Sequence, residues 1–449
     1  MATESDTALA RILADAVQPL RGAADDLDRL VELVGDARCV LLGEATHGTH
    51  EFYRVRAELT RRLIEEKGFT AVAAEADWPD AHRVDGFVRG DDRDGRERAI
   101  DALAGFRRFP AWMWRNVDML EWVSWLHAHN EALPAAKRVG FYGLDLYSLH
   151  ASMAAVLDYL GRADPEAAAR ARERYACFDH HGQDPELYGR AASLGLTEDC
   201  QRAVIAQLRD MQARRGEQLA RDGLDAEEAQ FAAEQNARVV RDAEAYYRSM
   251  FLRRVSTWNL RDTHMADTLD ALLAHLGRRF DEPKVVVWAH NSHVGDARWT
   301  EVGAEGELNL GQLARQRHPG RTRLVGFSTY HGTVTAADDW GEPAQRMTVR
   351  PALAGSYEAL FHAVGIPRFL LVPEDLGDAG KPLEQTRLQR AIGVVYRPRT
   401  ERRSHYYHVR LPRQLDALIH IDRTRAVVPL ERSAGWERGE EPGTWPTGL

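Results

Sequence analysis

Apolar residues fall into two patterns along this chain, and their alternation predicts the architecture. Short unbroken runs recur at Cys39–Leu42, Ala71–Ala74, Val139–Tyr142, Val285–Ala289, Leu324–Phe327, Phe369–Val372 and Ile392–Tyr396. That length suits strands covered on both faces. Between the early runs the apolar positions are spaced three to four apart. Phe52, Val55, Leu59 and Leu63 form one stripe on a helix that a Thr initiates and Lys67-Gly68 stops. Strands alternating with helices predict an α/β fold, a mostly parallel central sheet flanked by helices. From about Pro165 to Phe280 strand signals vanish and Ala, Arg, Glu and Gln dominate. Helical stretches at Glu198–Ala220 and Ala226–Phe251 predict a helical insertion capping the strand ends. The expected organisation is an N-terminal half of the core over 1–164, the insertion over 165–280 and a C-terminal half over 281–429. A polar, Gly- and Pro-rich tail over 430–449 is expected to be loosely ordered.

Composition narrows the class. The 449 residues are 44% apolar and 28% charged, enough for a sizeable core. A net charge of −9, with arginines scattered among acids, argues against a nucleic-acid partner. No apolar run approaches membrane-spanning length, and the N-terminus lacks the basic start of an export signal, so no membrane partner is expected. The three cysteines, Cys39, Cys177 and Cys200, include no CxxC pair. They predict a reduced, cytoplasmic protein without a disulfide scaffold or a thiolate zinc site.

Ligands of open α/β sheets bind outside the carboxyl ends of the strands. Glu44 and His47 follow the first apolar run, Glu75 and Asp77 the second, Asp145 the third, and His290 and His293 the fourth. One such acid would be an ordinary helix cap. Titratable groups at all four ends favour a shared polar cleft. Glu44 can orient the His47 imidazole and stabilise its protonated form, leaving the other ring nitrogen to take a proton from water. Arg56 flanks the apolar stripe of its helix. Alone it reads as a snorkelling surface arginine; turned inward it needs Glu44 or Glu75 as a partner. His290 and His293, with Asn291 and Ser292 between them, form a dense donor set able to polarise a carbonyl, protonate a leaving alcohol or bind metal.

Other signals are weaker. Cys177, His180 and His181 read better as a surface loop than as a zinc site. His405, within Ser404–His408, suits a pocket wall or an alternating edge strand equally. Trp112 and Trp114 could bind an apolar ligand, although core packing accounts for them too. There is no GxSxG elbow, Walker A loop or GxGxxG turn, and His50-Glu51 lacks the second His of an HExxH motif.

Seven segments, GEATHGTHEF, EADWPDAHRV, FRRFPAWMWRN, FYGLDLYSL, WNLRDTHMADTL, VVWAHNSHVGDAR and YRPRTERRSHYYH, together resemble the erythromycin esterase family. The resemblance runs in order from about Val40 to Pro429. It implies an α/β core with a helical insertion and metal-free hydrolysis of a macrolide lactone, without a cofactor. It also implies His47 as general base, with Glu44, Arg56, Glu75, His290 and His293 at active-site positions. Asp145, Trp112, Trp114 and His405 are expected on the substrate side. GEATH and EADWPD place the chain in a broad branch of the family, so the catalytic apparatus transfers better than the macrolide substrate. The expected partner is a small-molecule ester or lactone, with the oligomeric state unspecified. The alternatives are a metal-dependent hydrolase using the same Glu/His cleft, or a non-catalytic protein binding haem or another small molecule.

Overall fold

The computed structural model describes residues 4–90, 95, 98–182, 184–197, 199–252 and 256–438, with the backbone alone at 5 and 214–226. Contacts divide the chain into two compact units. Unit 1 comprises Met1–Val72, Phe87–Val139 and Lys284–Leu449; unit 2 comprises Ala73–Gly86 and Gly140–Pro283. The strands, in chain order, begin with β1 (Gln18–Pro19), β2 (Cys39–Leu42), β3 (Ala71–Asp77), β4 (Gly140–Asp145), β5 (Val285–Trp288) and β6 (Thr322–Ser328). They continue with β7 (His331–Ala336), β8 (Gln345–Val349), β9 (Arg368–Leu371), β10 (Arg387–Arg390), β11 (Tyr406–Val409), β12 (Ala417–Ile421) and β13 (Arg423–Thr424).

The protein is a mixed α/β fold with a large, mostly parallel central sheet flanked by helices. In unit 1 the strands lie side by side in the order β1-β9-β12-β6-β2-β5. β2 is parallel to β5 and to β6, with Leu42 opposite Trp288 on one side and Val325 on the other. β12 is parallel to β6 but antiparallel to β9, and β1 is antiparallel to β9, so the far edge departs from the parallel pattern. Every residue of β2 and β5 is fully buried, as expected for strands covered on both faces. Each large apolar side chain so buried contributes about 1.5–3 kcal/mol relative to exposure.

The helix predicted after β2 spans His50–Lys67, and Gly68 closes it in the left-handed region at φ 70°. Only glycine adopts that cap without a Cβ penalty. Phe52, Leu59 and Leu63 are fully buried and Val55 half-buried. Thr49 occupies the cap position but makes no side-chain capping bond; its hydroxyl pairs with that of Thr46 instead.

Unit 2 pairs β3 with β4 and is otherwise helical. Asp164 and Asp184 cap the helices Pro165–Tyr175 and Pro185–Ser193, each with Pro in the first turn. The two helices read at Glu198–Ala220 and Ala226–Phe251 are one helix of 49 residues, Gln201–Ser249, because no proline interrupts the stretch between them. Val156, Leu160, Tyr175, Tyr188, Val204, Val240 and Tyr247 form part of its core. Glu198 and the 439–449 part of the expected tail lie outside the described residues.

Several expectations need correction. Cys177 and Cys200 are joined by a disulfide, whereas Cys39 is free and buried; sequence spacing alone gave no sign of the pairing. Ile392–Tyr396 is not a ladder strand. Ile392 bridges to Thr46 and Val395 to Ala337 as isolated pairs, so this run backs a loop rather than extending a sheet. The central strand β12, sequence ALIHI, was missing from the predicted set because a histidine interrupts its apolar run.

Candidate active site

Two carboxylate–cation clusters form at strand ends, one in each unit. In unit 1 the chain leaves β2 at Gly43 and enters the loop Glu44–Thr49. Two glycines frame that loop because backbone or side-chain oxygens press against it. A Cβ on Gly43 would lie 2.1 Å from Asn291 Oδ1, and one on Gly48 would lie 1.8 Å from the carbonyl oxygen of Thr335. Asn291 ties three strand ends together. Its backbone N–H donates to Glu44 O at 2.8 Å, its Nδ2 to Phe327 O at 2.7 Å, and its Oδ1 accepts from Phe327 N at 3.2 Å. On the other side of the loop, His47 N donates to Ile392 O at 3.3 Å and Ile392 N to Ala45 O at 2.9 Å.

The loop thereby holds the Glu44 carboxylate fully buried between the His47 imidazole and the Arg56 guanidinium. Glu44 Oε1 is 2.7 Å from His47 Nδ1, and Oε2 is 2.7 Å from Arg56 Nη2. A carboxylate oxygen accepts, so His47 Nδ1 carries the hydrogen and Nε2 keeps its lone pair. Arg56 is 0% exposed, so it does not snorkel. Its guanidinium lies 4.6 Å from the Tyr53 ring centroid and 5.0 Å from that of Trp288, a desolvated cation–π setting. Burial, reinforced by the Glu44 carboxylate, raises the Tyr53 phenol well above its usual range, and the hydroxyl donates to Met113 O at 2.6 Å. Trp288 in turn donates from Nε1 to Thr60 Oγ1 at 3.0 Å. The His290 ring lies 4.9 Å from that of His47, centroid to centroid, at 49°.

In unit 2 the arrangement is inverted, with one guanidinium between two carboxylates. Arg261 Nη2 lies 2.6 Å from Glu75 Oε1 and 2.7 Å from Asp145 Oδ2, while its Nε donates to Asp145 Oδ1 at 3.0 Å. The Tyr147 ring covers the guanidinium at 4.8 Å. Burial works against the Arg261 charge, but Asp145, Tyr147 and Glu75 outweigh it and hold the guanidinium well above its ordinary range.

The sequence-predicted residues fall in both units. Glu44, His47, Arg56 and His290 form one connected set, and His293 is buried one turn beyond His290. Of the two carboxylates offered for Arg56, Glu44 takes the place, while Glu75 is engaged by Arg261. Trp112 and Trp114 are 6% and 5% exposed and flank Met113, whose carbonyl Tyr53 holds; burial makes them wall and core together. His405 accepts from Arg397 N at Nε2, at 3.0 Å, just ahead of β11. Burial lowers its pKa to about 4.

Arg261 carries structural weight that the sequence did not assign, and Asn291, read only as part of a donor set, proves to tie strand ends together. Arg261 stands in the quoted WNLRDTHMADTL segment, yet a helical arginine among polar residues gives no further signal. Ser328, His420 and Asp422 imitate a hydrolytic triad, with Oγ to Nδ1 at 2.9 Å and Nε2 to Oδ1 at 3.6 Å. Ser328 and His420 are 1% and 0% exposed, so that serine meets no substrate. Among the described residues no group of three or more His, Cys, Asp and Glu side chains is placed to hold a metal ion. No helix among them is long and apolar enough to cross a membrane.

Fold and site define an α/β protein with a carboxylate-oriented histidine at a strand end. The chain belongs to the erythromycin esterase family, whose sequence model matches residues 64–424. That match includes Glu75, Asp145, Arg261, His290, His293 and His405 but begins after Glu44, His47 and Arg56. Erythromycin esterase type II of Escherichia coli is 24% identical over 376 residues, covering 78% of this chain and 85% of that protein. A crystal structure titled as a succinoglycan biosynthesis protein superposes with a TM-score of 0.76 at 20% identity, covering 95% of this chain and all of that one. A mutant of the erythromycin esterase EreC in its open conformation superposes with a TM-score of 0.64 at 18% identity, covering 92% of this chain and 97% of that one. At such identities the structural likeness speaks for the fold, and family membership supports a hydrolase of this type.

Proposed function

We propose that the protein is an ester or lactone hydrolase that uses His47 to activate water without a metal. The observation that carries this reading is the Glu44 carboxylate, buried and shared by His47 Nδ1 and the Arg56 guanidinium at 2.7 Å each. Arg56, packed against the Tyr53 and Trp288 rings, fixes Glu44; Glu44 fixes the tautomer and direction of His47; His47 Nε2 takes the proton of water. The hydroxide so formed attacks the ester carbonyl. His290, whose ring faces that of His47, donates to the developing oxyanion or to the leaving oxygen. Glu44 acts as an orienting acceptor, comparable to the buried aspartate of a Ser-His-Asp triad, and is not itself protonated in the cycle. A small-molecule ester or lactone substrate belongs to the same reading.

The test is a panel of simple esters, lactones and macrolides assayed with wild type and His47→Ala side by side, before and after chelation. Hydrolysis that survives chelation and collapses in His47→Ala supports the proposal. Hydrolysis that His47→Ala leaves intact ends it.

A further inference from the structure

Ser292 has no part in the chemistry above, yet it decides which nitrogen of His290 bears the proton. His290 is the cap residue of the short helix Asn291–Val294, and its Nδ1 accepts from the backbone N–H of Ser292 at 3.2 Å. A backbone N–H only donates, so the Nδ1 lone pair must face it. The Ser292 hydroxyl, 2.8 Å from the same Nδ1, has an acceptor before it and donates as well. With Nδ1 held as an acceptor by two donors from one residue, the ring hydrogen of His290 is left on Nε2.

His47 is held the other way round. Its Nδ1 faces the Glu44 carboxylate, which only accepts, so Nδ1 bears the hydrogen and Nε2 the lone pair. The two rings, 4.9 Å apart, are thus locked in opposite tautomers. We propose that Ser292 is a positioning residue of this active site, fixing His290 in the Nε2–H tautomer so that the facing histidines present one base and one donor. The assignment rests on the hydrolase reading above for its use in catalysis, but the tautomers themselves stand on the hydrogen bonds alone.

This division has a mechanistic consequence. Two imidazoles with the same tautomer would offer two bases or two donors to one substrate. Opposite tautomers let one ring accept the proton of water while the other donates to oxygen, with no proton exchange needed between them beforehand. Turning the His290 tautomer over would lose the bond from the Ser292 backbone N–H, while the hydroxyl, which can also accept, would reverse its role. Losing only the hydroxyl therefore keeps the tautomer but frees the ring from one of its two ties. The expected effect of Ser292→Ala is therefore a roughly two- to tenfold fall in kcat, the worth of one neutral hydrogen bond, with KM unchanged.

The deciding experiment is nitrogen NMR of wild-type protein with 15N-labelled histidine, assigned through His47→Asn and His290→Asn variants. The expected spectrum has His290 Nδ1 as an unprotonated acceptor with the hydrogen on Nε2, and His47 with the hydrogen on Nδ1. In Ser292→Ala the backbone N–H keeps the hydrogen on His290 Nε2 while kcat falls because the ring has lost the hydroxyl, and Ser292→Thr restores kcat. A wild-type spectrum with the hydrogen on His290 Nδ1 overturns the proposal, as does a Ser292→Ala protein whose kcat matches wild type. Neither result touches the role of His47, which stands or falls on His47→Ala.

Discussion

The clusters of the two units use the same ingredients, a guanidinium, an aromatic cover and buried carboxylates at a strand end, in opposite proportion. In unit 1 one carboxylate, Glu44, serves an arginine and a histidine. In unit 2 one arginine, Arg261, serves two carboxylates, Glu75 and Asp145. The first arrangement leaves a ring nitrogen with a lone pair and a fixed direction. The second ties each named charge to an opposite charge, and a set of that kind stabilises structure and shapes a field without offering a base near neutral pH. Titratable residues at strand ends therefore do not by themselves mark chemistry; the ratio of acceptors to donors does.

The largest effect that separates the two clusters is catalytic. His47→Ala is expected to lower kcat by about a hundred- to ten-thousandfold while leaving the thermal midpoint within a degree or two, read by steady-state kinetics and calorimetry. Loss of folding in step with loss of activity would move unit 1's cluster into the structural class. Arg261→Met is expected to do the reverse. It removes the guanidinium that Glu75 and Asp145 share, and breaking a buried ion pair from one side costs about 3–5 kcal/mol of stability, measured by urea unfolding. A variant as stable as wild type would show that Arg261 is not the structural member of the comparison.

A third test lies outside both clusters. His405 has a pKa lowered to about 4 by burial, against an ordinary value of 6.5. Between those values the unfolded chain binds a proton that the native protein does not, so stability rises with pH across that window. It is complete above pH 6.5 and lost progressively toward pH 4, by up to about 3 kcal/mol. His420, also lowered by burial, acts in the same direction. His405→Gln, still able to accept from Arg397 N, should flatten part of that acid slope in urea titrations while the His47-dependent activity keeps its own pH profile. Gly48→Ala strikes the His47 loop itself. Its Cβ would lie 1.8 Å from the Thr335 carbonyl oxygen, a backbone atom, so relief should cost about 3 kcal/mol or more. Because the displaced loop carries His47, kcat should fall as well, whereas Gly161→Ala, where nothing lies within 4 Å and φ is not positive, should leave kcat unchanged.

Much of the frame was legible. Cys39–Leu42 was read with the bounds it has, since four apolar residues between polar ones leave little choice of register. The helix stop at Gly68 followed from glycine's access to positive φ. Less visible were features that depend on distant partners. β12 sits between β6 and β9, but its His420 breaks the run, and the Ser328 hydroxyl 92 residues earlier, with Asp422 beside the other ring nitrogen, explains a histidine there. Ile392–Tyr396 has strand composition, yet its partner is the loop at Thr46, so it makes isolated bridges. In the candidate site, Glu44, His47 and His290 were visible as strand-end residues, while Arg261 looked like any helical arginine.

The sequence by itself determined the alternation of strands and helices, the helical character of the middle region and which residue types stand at the strand ends. All of these follow from local spacing and composition. Tertiary structure alone decided that Arg56 meets Glu44 and Glu75 meets Arg261, that Cys177 meets Cys200, and that Ser292 and Glu44 set opposite tautomers on two facing histidines. The contacts that set the tautomers are local, two and three residues apart, but the meeting of the two histidines and of the other pairs joins residues from about a dozen to more than two hundred positions apart. In a buried setting each charge is assigned to whichever partner the packing brings within reach.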